Sequence, residues 1–351
     1  MGILHPQECY FLEKFISAEH YAETRDAIIA YIDAHEEALA RYKREMPLNA
    51  RKLPQWQQAD VVWETRVMPN IRDLREHFSK RYIQRSHNNP EAFRMGNAMG
   101  YIQKGIVDFW NGWMAEDEIE KISALESVAK KLDRRLSMTL RGAWDDGDLT
   151  YTGCGILYSN IELPAKIPCY KLDPSVRIEI GQNPEQTGFY LPDIKFAAAR
   201  FISEDFGQPV LASQGIRRSN WSDPETGEKD YNWEDIEWTE TGWTLIRRVE
   251  GEFIDVPPEG FFPKGLPEEL YNWPEKEKLL RQAEPTRITA YSGETSPHSG
   301  RWGTFIDGSL HYVHVKHGQT LPEYEDKKGK LHRTLWSLLE RDDKGSVFIN
   351  S

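Results

Sequence analysis

The spacing of hydrophobic residues changes character near residue 145. Before that point apolar residues recur at three- and four-residue steps, as in Ile28, Ile32 and Leu39, which indicates amphipathic helices. After it glycine and proline become frequent, and short β-prone runs appear, such as Trp243 to Val249 and Leu310 to Val315. The pattern predicts an α+β chain. An antiparallel helical bundle is followed by two tandem small β-rich modules, each a curled sheet or an SH3-like barrel.

Four helical segments are predicted in the first part. Ser17 is a suitable N-cap for a helix that runs to about Met46, where Pro47 stops it. A broken segment over 54–86 is interrupted at Pro69, and a third segment covers 91–114. The fourth, 117–141, has an inner face of Ile122, Leu125, Ala129, Leu132, Leu136 and Leu140.

The second half of the chain repeats a set of landmarks, which predicts two copies of one folding unit. Shared landmarks are an Arg-Ile pair, turn glycines, prolines and large aromatics, whereas residue types that perform chemistry do not recur. We expect Gly188 and Gly300 to form turns with positive φ, each followed by a core aromatic. The first copy carries Arg177-Ile178, Gly181, Pro184, Thr187-Gly188, Phe189-Tyr190, Gly207-Gln208, Pro209 and Trp243; the second carries Arg287-Ile288, Gly293, Pro297, Ser299-Gly300, Trp302, Gly318-Gln319, Pro322 and Trp336.

These patterns predict three domains: a helical bundle over 1–145, a first β-rich repeat over 146–262, and a second over 263–351. The first repeat contains an insertion over 219–240 that the second lacks. Residues 222–240 hold eight acidic residues against Lys229 alone, a net charge of -7. The insertion is either a solvated hairpin or a surface that binds a basic partner through aromatic anchors and carboxylates. Its candidate partner-binding residues are Trp221, Asp223, Glu225, Glu228, Asp230, Tyr231, Trp233, Glu234, Asp235, Glu237 and Trp238.

The charge balance favours a protein partner over nucleic acid. The chain has a net charge of -12, of which residues 151–351 contribute -9. Such a surface repels phosphate backbones and attracts a basic protein. No run approaches the roughly 18 apolar residues that a membrane span needs, and Met1 to Ile16 lacks a signal pattern. We therefore expect no membrane association, a cytoplasmic location and reduced cysteines.

Catalytic motifs are missing from the sequence. There is no Gly-x-Ser-x-Gly, no His-Glu-x-x-His and no dinucleotide fingerprint, and Cys154 between two glycines is more simply an idle thiol. His311, His314 and His317 are weak metal candidates, because steps of three alternate between faces in a strand. Counted from Gly207 and Gly318, their counterparts in the first copy are Arg200, Ser203 and Phe206. We predict no cofactor and no enzyme activity.

The repeated landmarks resemble a known group of families. The stretch from Gly293 to Trp302, then Gly318 to Pro322 and Thr334-Leu335-Trp336, looks like the C-terminal repeats of immunity proteins 72 and 71. These families belong to bacterial polymorphic toxin (type VI secretion) systems, and the motif match covers about residues 175–348. The resemblance implies a cytoplasmic protein that binds a cognate toxin domain and neutralises it. The long insertion over 219–240 and the three histidines of the second copy depart from the pattern of these families.

Two alternatives remain open from the residues. One is a metal- or carboxylate-dependent hydrolase that uses the histidine triplet. The other is an adaptor whose SH3-like repeats hold an extended peptide in an aromatic groove, for which Tyr312, Tyr324, Trp302 and Trp336 are candidates.

Overall fold

A computed structural model describes most of the chain, and the structural statements below concern those residues. The chain divides into two compact units, Met1–Pro274 and Glu275–Ser351. The described residues are 1–149, 161–204, 211–214, 217–222, 224–227, 229–234, 237–263, 268–282, 287–306, 309–326 and 329–349.

The chain begins with helices, as predicted. They are α1 (Pro6–Phe15), α2 (Ala18–Glu45), α3 (Ala59–Val62), α4 (Met68–Ser86), α5 (Ala98–Ile106) and α6 (Glu116–Arg141). A π-helical turn, Trp63–Val67, joins α3 to α4, and short 3-10 turns lie at Ala50–Lys52, Gln55–Gln57 and Pro90–Phe93. Two further helices, α7 (Glu268–Tyr271) and α8 (Trp273–Gln282), follow the first sheet.

Local sequence explains where these helices begin and end. The Ser17 hydroxyl accepts the His20 amide at 3.1 Å at the start of α2, as predicted. Pro69 lies in the first turn of α4, directly after the π-helical turn over Trp63–Val67. The short helix α1 was not predicted, although Pro6 in its first turn and His5 as its cap are the expected start signals.

Helices α2, α4 and α6 form an antiparallel bundle. Late in α2, Arg41 binds Glu118 at the start of α6 at 2.6 Å, while early in α2 the His20 ring contacts the Leu132 carbonyl at 3.2 Å. The end of α2 thus contacts the start of α6, and the start of α2 contacts a later part of α6, so the two helices are antiparallel. Helix α4 is also antiparallel to α2. Lys43, late in α2, forms a salt bridge with Glu64 just before α4, whereas Glu36, earlier in α2, forms one with Arg72 within α4.

The first unit continues into antiparallel strands. They are β1 (Lys166–Ile178), β2 (Gly188–Pro192), β3 (Arg200–Ile202), β4 (Leu211–Gln214), β5 (Arg217–Ser222), β6 (Lys229–Glu234), β7 (Glu237–Glu240) and β8 (Trp243–Asp255). Four of them form the first sheet, in the order β1-β8-β2-β3. The other four form two separate two-stranded sheets, β4-β7 and β5-β6.

The second unit repeats this architecture. Its strands are β9 (Thr289–Tyr291), β10 (Gly300–Ile306), β11 (Ser309–Val315), β12 (Tyr324–Glu325), β13 (Leu331–His332) and β14 (Leu335–Arg341). The second sheet has the order β9-β14-β10-β11, which matches β1-β8-β2-β3 strand for strand, and β12 pairs with β13. The α+β fold class with two β-rich modules is therefore confirmed. Among the described strands neither sheet closes into a barrel, so the SH3-like alternative is not seen.

The two sheets also share their register and inner core. Tyr190 lies opposite Leu245 in the first sheet, and Trp302 lies opposite Leu338 in the second. Tyr190 and Trp302 are each 0% exposed, as predicted for the core aromatics. The inner core of the first sheet contains Ile178, Tyr190, Ala197, Ile202, Ala212, Trp243 and Leu245, and that of the second contains Ala290, Trp302, Val315, Leu321, Trp336 and Leu338.

Two details of the predicted repeat are wrong. Gly188 and Gly300 are not among the positive-φ residues; that conformation belongs to Gly181 (φ 80) and Gly293 (φ 87). Gly188 and Gly300 are needed for close approach instead, because a Cβ on Gly300 would lie 2.1 Å from the Glu340 carbonyl oxygen.

The second error concerns the Arg-Ile pair. Ile178 lies opposite Trp243 and Ala290 lies opposite Trp336, so the structural partner of Ile178 is Ala290. The Arg287-Ile288 pair is therefore displaced from Arg177-Ile178 by two positions. Gly207, Gln208 and Pro209 lie outside the described residues.

The helical segment and the first sheet lie within one compact unit. Cys9, Leu12 and Phe15 of α1 belong to the same buried cluster as Leu191 of β2 and Ile246 of β8. Phe93 contacts Phe201 of β3 with ring centroids 4.9 Å apart. The predicted division of the chain at residues 145 and 262 stays a prediction about folding units.

The buried tryptophan of the second sheet should dominate the stability of that unit. We expect Trp302→Ala to lower its free energy of unfolding by about 3–5 kcal/mol, because a large buried side chain is removed. Phe305→Ala, three positions along β10 at a side chain that is 71% exposed, should change it by less than about 0.5 kcal/mol. Native-state hydrogen exchange of peptides within residues 287–341 measures both. Equal losses would contradict this core assignment.

Asp133 should make the stability of the helical bundle depend on pH. Its Oδ2 accepts the Met99 amide of α5 at 3.0 Å, and burial raises the pKa of its carboxyl from 3.8 to about 6. The folded state therefore holds this proton more tightly than the unfolded state, and stability is lost as pH rises from about 4 to about 6.

Asp133→Asn keeps the acceptor and removes the buried charge. We expect it to raise the free energy of unfolding by about 3 kcal/mol at pH 7 and to change little near pH 4. Urea denaturation of both proteins across this range measures the difference. A gain that is the same at every pH would show that ionisation of Asp133 is not responsible.

Candidate functional site

The acidic insertion folds as a hairpin with a return strand. β5 pairs with β6 from Arg217 opposite Glu234 to Ser222 opposite Lys229. Residues 224–227 at the tip are exposed, and Gly227 has a φ of 72°. β7 then pairs with β4, with Trp238 opposite Ser213. The insertion is thus anchored at its base by β4 and extends away along β5 and β6.

The predicted partner-binding residues are distributed along this insertion. Trp221 lies in β5 opposite Asp230 of β6, and Trp233 of β6 lies opposite Arg218. Tyr231 and Glu234 are also in β6, Glu225 is exposed at the tip, and Glu237 is exposed in β7. Asp223, Glu228 and Asp235 lie outside the described residues.

Trp238 is the aromatic of the insertion whose surroundings are described. Its side chain is 59% exposed, and the Arg200 guanidinium lies 4.8 Å from its ring centroid. Arg200 also donates to the Leu211 carbonyl at 3.1 Å, and burial lowers the pKa of its guanidinium while Asp145 opposes that shift. Trp238 is therefore held by a cation–π contact and still presents more than half of its surface to solvent.

The three candidate metal-ligating histidines have separate contacts. His314 contacts Asp342 at 2.8 Å, the His311 ring lies 4.6 Å from that of Tyr324, and the His317 amide donates to Ser299 Oγ at 2.8 Å. All three lie in or just after β11, where steps of three alternate between faces. No group of three His, Cys, Asp or Glu side chains suited to a metal ion occurs in the part of the chain that the structure describes.

The sheet register also changes which residues of the first copy correspond to these three histidines. Gly188 lies opposite Ile202 and Gly300 lies opposite Val315, so His314 corresponds to Phe201 and not to Ser203. Continuing this count, His317 corresponds to Glu204 and His311 to Ala198. The earlier count from Gly207 and Gly318 was two residues out of register.

The sequence did not single out a group of buried carboxylates near α1. Glu8 is 1% exposed; burial, then Asp146 and Asp148, raise the pKa of its carboxyl well above the usual value. Burial also raises the pKa of Asp146 to about 6, and Asp146 accepts the Tyr271 hydroxyl at 2.9 Å. A run of carboxylates such as 145–148 ordinarily forms a hydrated face, but Asp146 and Asp148 are only partly exposed. Because Glu8 is enclosed, it has no path to a substrate.

Neither of the two described cysteines is fully exposed. Cys9 is buried, and burial followed by the nearby Glu8 raises the pKa of its thiol. Cys169 is half-buried, and Cys154 lies outside the described residues.

The second sheet presents an unusually apolar outer surface, which we call the open face. Alternation along its strands places these side chains on the side opposite the Trp302 core. Phe305 is 71% exposed, and Leu310 and Tyr312 are each 47% exposed. By this alternation the open face comprises Thr289, Tyr291, Arg301, Gly303, Phe305, Leu310, Tyr312, His314, Leu335, Ser337 and Leu339.

A groove of about 740 Å³ opens along this region. Gly303 lies within it, where a Cβ would come 2.5 Å from Leu339 Cδ1, so the glycine lets the leucine lie flat across β10. Its lining residues are Arg287, Gly303, Thr304, Phe305, Ile306, Leu310, Tyr324, Asp326, His332, Arg333, Thr334, Leu335, Ser337 and Leu339.

Sequence reasoning missed this surface, although a signal was present. Leu335-Trp336 and Leu338-Leu339 place apolar residues at successive positions of β14. A strand with one solvated face alternates apolar and polar residues, whereas consecutive apolar residues indicate that both faces are built for burial.

The corresponding face of the first sheet is covered by helices. Leu191, Ala199 and Ile246 are buried in one cluster with the apolar side of α1, and Phe201 is buried in the cluster of the helical bundle. Leu191 corresponds to Gly303 and Phe201 to His314 by register. One sheet of the duplicated pair therefore has both faces buried, and the other has an exposed apolar face.

Arginines border the open face. The Arg301 guanidinium lies 4.0 Å from the Tyr312 ring centroid, and that of Arg333 lies 4.7 Å from the ring centroid of Tyr291. Within the described residues neither has a carboxylate at ion-pair distance. Residues 275–351 hold 12 Lys and Arg against 11 Asp and Glu, while residues 151–274 hold 11 against 21. The acidity of the β-rich half thus resides in the first unit.

Comparison with protein-family models, with curated proteins and with solved structures returned no match. Among the described helices, none has the length and apolar character required to cross a lipid bilayer.

Proposed function

We propose that this chain is an immunity protein that binds a cognate secreted toxin domain and neutralises it by direct stoichiometric contact. The binding takes place in the cytoplasm, and it protects the producing cell and its siblings. The observation that carries the proposal is the open face: one sheet of a duplicated pair exposes apolar and aromatic side chains on the face that its twin covers with helices. Exposed patches of this kind mark protein-interaction sites.

The arrangement of the polar groups supports binding over catalysis. The three histidines have separate partners, and Glu8 is enclosed. An accessible, convergent set of acid, base and nucleophile is what a hydrolase requires, and the candidates named from the sequence do not supply one. The resemblance to immunity proteins 72 and 71 rests on the repeated motifs and agrees with this reading.

The charge distribution supports a partner with two kinds of surface. The insertion has a net charge of -7 over residues 222–240 and suits a basic patch, whereas the open face is apolar with arginines at its border. Long-range attraction by the insertion speeds capture of the toxin, and apolar contact then slows its release. Fast capture matters because a free toxin damages its own cell.

Co-expression with the toxin domain encoded by the neighbouring reading frame tests the proposal. The toxin domain alone should arrest bacterial growth, and this chain should restore it. The purified pair should form a 1:1 complex with a Kd on the order of 10⁻⁹ M or tighter. A catalytically inactive toxin variant should bind equally well, since binding does not require toxin activity. Growth arrest without rescue, and no complex by calorimetry, would refute the proposal.

The acidic insertion should contribute to capture. We expect deletion of residues 222–236 to leave the rest of the fold intact, because the β4-β7 pairing remains. The association rate should fall by about tenfold or more, and its dependence on salt should weaken.

The matched control is Glu250→Gln with Glu252→Gln, which removes exposed charges from β8 and not from the insertion. This variant should change the association rate by less than twofold. If the deletion leaves rate and salt dependence as they were, the insertion is a solvated hairpin and has no part in binding.

A further inference from the structure

The first sheet shows how the outer face of this fold accepts a helix. Helix α1 lies on that face, with Leu12 and Phe15 in the cluster that contains Leu191 and Ile246. At its edge the Tyr170 hydroxyl donates to Glu13 Oε2 at 2.5 Å, and Arg248 binds Glu13 Oε1 at 3.3 Å. The helix is thus recognised by apolar contact at the centre and by a tyrosine and an arginine that hold one carboxylate.

The open face of the second sheet carries the same kinds of group. Leu339 follows core residue Leu338 in β14, as Ile246 follows Leu245 in β8. Phe305 and Leu310 lie opposite each other and extend the apolar centre. Tyrosine–arginine pairs lie on two sides of it, Tyr312 with Arg301 and Tyr291 with Arg333. The second sheet therefore carries the same kinds of group, an apolar centre and tyrosine–arginine pairs, although at different register positions: Leu191, for example, corresponds to Gly303.

The positive charge of the arginines beside the open face limits which kind of partner can bind there. Arg301 and Arg333 lie over tyrosine rings and, within the described residues, have no carboxylate at ion-pair distance, so an occupant that brings carboxylates gains charge complementarity. An extended peptide binds by adding to the edge of a sheet through main-chain hydrogen bonds, whereas the exposed groups here are side chains on its surface. The apolar centre and the cationic border of the open face are together complementary to an amphipathic helix with acidic residues along its flanks.

We propose that the open face binds an amphipathic α-helix of the neutralised toxin, with carboxylates of that helix pairing with Arg301 and Arg333. The inference rests on the proposed function, because it assigns the helix to the toxin. It adds the surface, the shape of the bound segment and its charge. A toxin that fits both surfaces has a basic patch facing the insertion and an acidic-flanked helix on the open face.

Variants of the open face test this inference in the complex of the full chain with its toxin domain. Phe305→Asp and Arg301→Glu should each raise the Kd by about 30-fold or more, because each removes a central anchor or reverses a border charge. Val128→Asp, at an exposed position of α6 (52% exposed), should change the Kd by less than twofold. Thermal unfolding and circular dichroism check that the variants are folded.

Hydrogen exchange of the toxin domain then identifies the bound segment. The segment protected by this chain but not by Phe305→Asp should be an amphipathic helix that contains Asp or Glu. Changing its carboxylate to lysine should weaken binding to the wild-type chain and restore binding to Arg301→Glu.

The outcomes separate this inference from the proposed function. If the wild-type chain binds and neutralises the toxin while both open-face variants bind as tightly, the inference is wrong and the function stands. A protected segment that is a strand, or a helix without carboxylates, also overturns it. If the wild-type chain neither binds nor rescues, the proposed function fails, and the assignment of a toxin helix fails with it.

Discussion

Each sheet of this protein is organised around one buried aromatic at the centre of its inner face. Tyr190 opposite Leu245 and Trp302 opposite Leu338 fix the register of the central strands, and Trp243 and Trp336 complete the two inner cores. Because side chains alternate across a strand, this choice also fixes which residues lie on the outer face. Everything else about the two sheets depends on what covers that second face.

In the first unit the outer face of the sheet is buried under helices. This packing explains why the helical segment and the first sheet form one compact unit. Glu13 of α1 reaches Tyr170 and Arg248, so even the edge of this contact is specified by polar groups. In the second unit the same face presents Phe305, Leu310 and Tyr312 to solvent. Apolar surface of this extent is unfavourable in water, and a protein that retains it gains most when a partner covers it.

The two β-rich segments differ in net charge. Residues 151–274 have nearly twice as many acidic as basic residues, and the acidic insertion lies there. The second unit is almost balanced, with Arg301 and Arg333 lying against tyrosine rings beside the open face. Under the proposed function, long-range attraction would come from the acidic insertion and short-range contact from the open face, so the two roles would lie in different parts of the chain.

Much of the fold was predictable because it depends on local signals. Ser17 as a cap, the inner face of α6 and the core positions of Tyr190 and Trp302 follow from spacing and residue type. The errors occurred where spatial proximity overrides local preference. Gly300 was assigned a turn with positive φ, but a glycine is required there because the Glu340 carbonyl oxygen approaches closely. Counting along the chain also placed His314 two residues from its true counterpart, because loop lengths differ between the copies.

The sequence by itself determined that the chain is α+β, that its β-rich half is duplicated, and that the acidic insertion is unique to the first copy. These properties are written in periodicity, repetition and charge, which need no knowledge of distant contacts. Only the tertiary structure decided which sheet face is covered. That outcome depends on α1 and the bundle packing against strands more than a hundred residues away in the chain, a pairing that no local pattern encodes.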